Sequence, residues 1–158
     1  MYKKLTNEQA LQKLRHYCGY QERCRSEVKS KLYELGIAEK EHDEIISILI
    51  EDNRLDEERF AIAYVGGKFR IKHWGRIKIK YALRQKQINE KYINEALKQI
   101  DEKEYRVVLK ESAREKYTSL KNQQYLIRKR KTMDYLIQKG YEPELVNNVV
   151  NAFSEKKK

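Results

Sequence analysis

Three clusters in this chain hold residue types that chemistry could use. His42-Asp43-Glu44 sets an imidazole beside two carboxylates, the raw material of an acid/base pair or a metal site. Asp56-Glu57-Glu58 gathers three carboxylates, and Cys18 and Cys24 with His16 offer softer ligands. Their spacing argues for plainer roles. Both acidic clusters fall where a helix is expected to begin, and the positive helix end draws acids into a first turn. Two Cys and one His at this spacing make a poor zinc set. No apolar export signal follows Met1-Tyr-Lys-Lys, so the thiols are expected to be reduced. Gly66-Gly67-Lys68 lacks the flanking spacing of a phosphate loop, and the sparse His residues suggest no nucleophilic triad. These residues read as a protein that is not an enzyme and needs no cofactor or metal.

The charge pattern is more informative. The formal net charge is +11, yet it is zero over residues 1–54, +5 over 55–101 and +6 over 102–158. No acid lies between Glu58 and Glu90, where nine Lys or Arg fall. Such a field attracts a polyanion: nucleic acid, an acidic protein groove or an anionic membrane. The candidate contacts are Arg70, Lys72, Arg76, Lys78, Lys80, Arg84 and Lys86, with a second cluster at Lys129, Arg130 and Lys131. Among twelve tyrosines, Tyr64, Tyr105 and Tyr117 occupy core phases, whereas Tyr81 and Tyr92 are candidates to stack on a partner. Trp74 is expected either to pack a joint between modules or to reach a partner. The longest apolar run, Ile45 to Ile50, is too short to cross a bilayer, and a cytoplasmic location is expected.

These residues need elements to carry them. Charged residues make up 37% of the chain and mean hydropathy is −0.93, which leaves little material for a thick core. One Pro and six Gly are too few for a turn-rich β protein, and abundant Lys, Glu, Leu and Arg favour helix, so the fold class is all-α. Gly36, Gln87 and Gly140, 51 and 53 residues apart, align a weak internal repeat. Leu32, Leu83 and Leu136 precede them by four positions, and Ile37, Ile88 and Tyr141 follow them. Ile45, Ala96 and Val149 share a phase, as do Leu49, Ile100 and Phe153, and Arg25, Arg76 and Lys129 align as cations.

The alignment predicts a leading helix in residues 1–20 and tandem helical repeats over 21–73, 74–121 and 122–158, the last truncated. Gly36 and Gly140 stand where a helix end wants a left-handed residue, and Gln87 makes that end less regular. Inward positions include Ala10, Leu11, Leu14 and Tyr17 of the leading helix, and Phe60, Ala63, Tyr64 and Phe69 after Asp56. The stretch FRIKHWGRIKIK alternates like a strand, but Ile79 and Leu83 share the helical phase of Val28 and Leu32. Gly75 is therefore expected to end one helix and RIKIKYALRQK to start the next. Stacked helical modules give an elongated, crescent-like body.

Several motifs resemble the RecX family of regulatory proteins. Arg25-Ser26-Glu27 with Lys31-Leu32 and Gly36 is similar to its R-S-E…KL…G start. Leu55-Asp56-Glu57-Glu58-Arg59-Phe60-Ala61 with Tyr64-Val65 resembles its L-D-D-x-R-F-A-x-x-Y block. Gly75-Arg76 with Leu83, Lys86 and Ile88 resembles its G-x-x-x-I-x-x-x-L-x-x-K-G-I block. The likeness runs over residues 10–155. It departs at Glu57, where Asp is usual, at Gln87, where Gly is usual, and in a weak third module. The resemblance implies three-helix repeats in a crescent that lodges in the helical groove of a RecA filament on single-stranded DNA. It also implies inhibition of RecA ATPase, filament growth and strand exchange, with DNA contact in some members, and thereby modulation of recombination, DNA repair and the SOS response. A monomer is expected. The alternative from the residues alone is a basic helical nucleic-acid-binding module without a recombinase partner.

Overall fold

The computed structural model describes residues 5–154, and among these every regular element is helical. The helices are α1 (Asn7–Tyr20), α2 (Arg25–Glu34), α3 (His42–Glu51), α4 (Glu57–Arg70), α5 (Arg76–Gln85), α6 (Glu90–Leu97), α7 (Glu102–Ser119), α8 (Tyr125–Gln138) and α9 (Pro143–Ser154). A short 3-10 turn, Glu39–Glu41, leads into α3. The helix starts are written locally. Side chains of Thr6, Asp56, Asn89 and Asp101 accept amide protons at the N-termini of α1, α4, α6 and α7.

The principal helix–helix contacts all fall within three groups: α1–α3, α4–α6 and α7–α9. The packed units therefore begin one helix earlier than the expected boundaries at residues 21, 74 and 122. Cutting at 73/74 would part α4 from α5 and α6, on which it packs. The shift arises because α1, α4 and α7 follow their loops without an aligned glycine, so the letters of the repeat start only at each second helix.

Each second helix ends in the same way. Gly36 (φ 78°), Gln87 (φ 63°) and Gly140 (φ 99°) are left-handed. The residue after each donates back to the helix: Ile37 to the Leu32 carbonyl, Ile88 to Leu83 and Tyr141 to Leu136, at 3.0–3.2 Å. This is the Schellman arrangement, with a buried apolar side chain at the following position. Gln87 adopts the glycine-type backbone despite its Cβ.

Two cores result. Ala10, Leu14, Val28, Leu32, Ile45, Ile46 and Leu49 fill unit 1. A second core runs without interruption through units 2 and 3, from Phe60 and Phe69 through Tyr105 and Leu109 to Tyr141 and Val150. Cys24 is the residue of unit 1 that enters this second core.

Several inward assignments need correction. Ala63 is exposed, because α4 turns Ala61 and Val65 inward instead. His42 is fully buried, its Nε2 2.9 Å from the Ile37 carbonyl and its ring edge-on to Tyr33 at 4.6 Å, so it is a core residue and not merely a polar start. Gly75 ends no helix: α4 stops at Arg70, and Gly75 is the N-cap of α5. The side chain of Phe153 lies outside the described residues.

Candidate partner-binding surface

The cationic stretch is split between two joints, and its residues have different fates. Joint 2–3 takes Arg76. Its guanidinium lies 3.8 Å from the Tyr105 ring centroid and donates to Glu142 at 2.7 Å and to Glu102. Burial pulls this cation's pKa down, but hydrogen bonding and charge from Glu142 more than restore it, so Arg76 stays charged above its ordinary value. Arg76 is thus engaged in a partly buried network between units 2 and 3, with a quarter of its side chain still exposed.

Around Arg76 the two units meet backbone to backbone. The N-terminal amides of α5 have no side-chain cap and no acid in the first turn. Unit 3 satisfies them instead. Gly75 N–H donates to the Lys139 carbonyl at 2.8 Å, Arg76 N–H to the Tyr105 hydroxyl at 3.0 Å, and Ile77 N–H to the Gly140 carbonyl at 2.9 Å. The carbonyl end of α8 therefore caps the amide end of α5, each helix dipole facing the complementary end of the other. Only glycines permit this. A Cβ on Gly75 would lie 2.3 Å from the Gly140 carbonyl carbon, and one on Gly140 would lie 2.6 Å from the Lys78 nitrogen. Tyr105 also donates to Glu142, and Tyr141 donates to the His73 carbonyl at 2.8 Å. Burial first, and the Glu142 carboxylate second, push the Tyr105 phenol far above its ordinary value.

Joint 1–2 is polar. Arg59 of α4 pairs with Glu22 at 2.9 Å, Lys86 with Glu27 at 3.3 Å, and Glu57 accepts the Arg25 N–H at 3.1 Å. Burial pushes the Glu57 carboxyl up, and the Arg25 hydrogen bond offsets part of that. Between α2 and α5 this joint leaves an open cleft of about 770 Å³. Tyr17 and Lys31 line its unit 1 side, and Tyr64, Trp74, Lys78 and Tyr81 line the other. The Trp74 ring is half-buried against the core and flanked by Lys68 Nζ at 4.8 Å and Lys78 Nζ at 4.5 Å. Trp74 therefore packs at a joint, the first of its two expected roles, and also forms a wall of the cleft. Burial keeps the Tyr17 and Tyr64 phenols above their ordinary values, so both stay neutral.

The other candidates are scattered. Arg70 and Lys72 are exposed past the end of the apolar part of α4, and the Lys72 carbonyl accepts from Lys139 Nζ at 2.8 Å. Lys80 and Arg84 both pair with Glu90, Lys80 at 3.9 Å. Lys129 is half-buried, Arg130 is 85% exposed beside Asp134, and Lys131 reaches Gln123 at 3.4 Å. Tyr81 is 65% exposed, whereas Tyr92 packs partly against the core, which corrects its expected role. Sequence reasoning missed Tyr17, Lys31 and Lys68. Unit 1 balances to zero charge, so nothing there drew attention, and Lys68 was read only as part of a failed phosphate loop.

No group of His, Cys, Asp and Glu among the described residues is arranged to hold a metal, and none of the described helices is long and apolar enough to cross a membrane.

Comparison with known proteins gives a consistent result. A family model described as RecX, second three-helix domain, matches residues 56–97, and one described as RecX, third three-helix domain, matches residues 104–150. These matches coincide with α4–α6 and α7–α9. A "Regulatory protein RecX" of Clostridium perfringens is 33% identical over 127 residues, which is 78% of this chain and 58% of that protein. Its counterpart from Pelodictyon phaeoclathratiforme is 30% identical over 124 residues, 78% of this chain and 76% of the relative. A crystal structure of regulatory protein RecX superposes with a TM-score of 0.84 at 26% identity, covering 92% of this chain and 73% of that one. The chain thus spans less than two thirds of the length of the clostridial relatives it matches.

Proposed function

This chain belongs to the RecX family of regulatory proteins, and on that footing we propose that it binds the RecA filament on single-stranded DNA and restrains RecA activity. The protein lodges in the filament's helical groove, where it inhibits ATP hydrolysis, filament growth and strand exchange, and so modulates recombination and DNA repair. The observation that carries this reading is the acid-free reach from Arg59 to Asn89, folded onto α4 and α5 of a thin helical body. A nucleoprotein filament is a polyanion with a long groove, and a surface of this sign and length complements it. The contact set we propose is Arg70, Lys72, Lys78, Lys80, Arg84 and Lys86, with Lys129, Arg130 and Lys131 at the far unit; Arg76 is engaged at joint 2–3.

Substoichiometric protein should suppress single-strand-stimulated ATP hydrolysis by the RecA of the same organism. Unchanged turnover at excess protein would sink the reading. Simple binding to nucleic acid without a recombinase is the rival. It predicts steep loss with salt, with a log–log slope near −0.7 per single-strand phosphate contact, and no need for RecA or nucleotide.

A further inference from the structure

We propose that the cleft between α2 and α5 is a stacking seat for unpaired nucleotides, so that the protein grips single-stranded nucleic acid directly at joint 1–2. The inference rests on the filament reading for its biological setting but not for its chemistry. Four aromatic residues line one space, Tyr17, Tyr64, Trp74 and Tyr81; Arg23 lies over the Tyr17 ring at 3.7 Å, and Lys68 and Lys78 lie over Trp74. Tyr81 is 65% exposed and, among the described residues, has no ring or cation partner, so a face is open to a base. Base–aromatic stacking tolerates any sequence, because every base has a π-face.

The charges around these rings suit a phosphate backbone. Lys31 and Lys78 line the cleft, and Lys68 lies over the Trp74 ring. Two carboxylates also line it, and both are engaged: Glu27 with Lys86 and the Cys24 N–H, Glu34 with Lys31 at 3.6 Å. A second groove of about 490 Å³ shares Tyr64, Glu27 and Lys86 with the first and carries Lys68 and Lys72. Two adjoining grooves with shared walls fit an extended polymer better than a compact small molecule. An acidic peptide would match the cations but would leave the rings without their natural partner.

The seat exists at this joint for a structural reason. At joint 2–3, Gly75 and Gly140 let two helix ends close on each other. The equivalent positions at joint 1–2, Cys24 and Gln87, both carry a Cβ, and the α2 amides are met by the Glu27 and Glu57 carboxylates rather than by a facing helix end.

The chain holds one tryptophan, so Trp74 reports on the cleft without a label. The full chain is titrated with oligothymidylate of about ten nucleotides, with polyglutamate of the same length, and with a blunt duplex, following Trp74 fluorescence. Oligothymidylate should quench Trp74 and bind at least tenfold more tightly than either control. Tyr81→Ala should weaken oligothymidylate binding about tenfold and Tyr81→Phe should restore it, while Lys110→Ala on the exposed side of α7 in unit 3 should leave the quench unchanged. Circular dichroism confirms that each variant is folded. No quench, an equal response to polyglutamate, or full affinity in Tyr81→Ala overturns the proposal. RecA ATP hydrolysis is read separately. If the wild-type quench occurs while RecA turnover is untouched, the filament reading falls and the seat stands. If Tyr81→Ala loses the quench yet still suppresses turnover, both stand, with the seat dispensable for inhibition.

Discussion

Units 2 and 3 are joined through their backbones, units 1 and 2 through their side chains, although the same repeat builds both joints. At joint 2–3 the carbonyl end of α8 satisfies the amide end of α5, and one core runs across the boundary. At joint 1–2 the α2 amides turn to carboxylates: Cys24 N–H to Glu27 and Arg25 N–H to Glu57. The ion pairs there are partly exposed, with side-chain exposures of 38% and 31% for Arg59 and Glu22, and such pairs are worth about 1 kcal/mol or less. Two glycines meet at joint 2–3, where joint 1–2 has Cys24 and Gln87 at the equivalent positions. The same tandem repeat thus holds a backbone-locked joint and an open cleft side by side.

The largest expected effect comes from breaking the rigid joint. Gly75→Ala places a Cβ 2.3–2.4 Å from the Gly140 backbone, which no flexible side chain can relieve. Two helix ends must separate, losing two backbone hydrogen bonds, at a cost of about 3 kcal/mol. Thermal unfolding should show unit 3 melting ahead of the rest. A melting temperature within 2 °C of the parent protein's, where about 3 kcal/mol predicts roughly 6–12 °C, would mean that the glycine contact does not hold the joint.

A subtler break leaves the backbone alone. Tyr105→Phe removes the hydroxyl that donates to Glu142 and accepts the Arg76 N–H. The amide and the carboxylate lose a partner in a half-buried site, which costs about 1–3 kcal/mol. Denaturant unfolding checks it: the midpoint should fall with the slope unchanged. No change would show that the phenol is a bystander and that Arg76 with Glu142 suffices.

The two joints also differ in how far the letters betrayed them. The all-α class, the helix ends at Gly36 and Gly140 and the helical reading of RIKIKYALRQK follow from period and turn chemistry, and the structure has each of them. The unit boundaries were displaced by one helix, because packing partners are long-range and no local signal says which side of a loop a helix joins. Arg76 shows the same limit. In sequence it is one cation among nine, and only Tyr105, Glu102 and Glu142, 26 to 66 residues away, tie it into joint 2–3. The cleft was half visible: Trp74, Lys78 and Tyr81 stood out, but their counterparts Tyr17 and Lys31 lie in a unit whose charges cancel. Gly75 was noticed as a break, yet its reason for being glycine sits 65 residues on, at Gly140.

The smallest effect tests whether the glycine lock needs both of its sides. Gln87 holds φ 63° with a side chain, a conformation that disfavours L residues by about 1–2 kcal/mol. Glycine relieves that strain but adds freedom to the unfolded chain, worth roughly 0.5–1 kcal/mol in the other direction. Gln87→Gly should therefore stabilise by under about 1 kcal/mol, a rise of a degree or two in Tm. It should not close joint 1–2, because Cys24 keeps its Cβ and the α2 amide already takes the Glu57 carboxylate. Hydrogen exchange should still show unit 1 opening independently of units 2 and 3, and Trp74 should keep its parent emission. If the single change instead coupled unit 1 to the rest, one glycine would be enough to lock a joint, and the cleft would owe its opening to Gln87 alone.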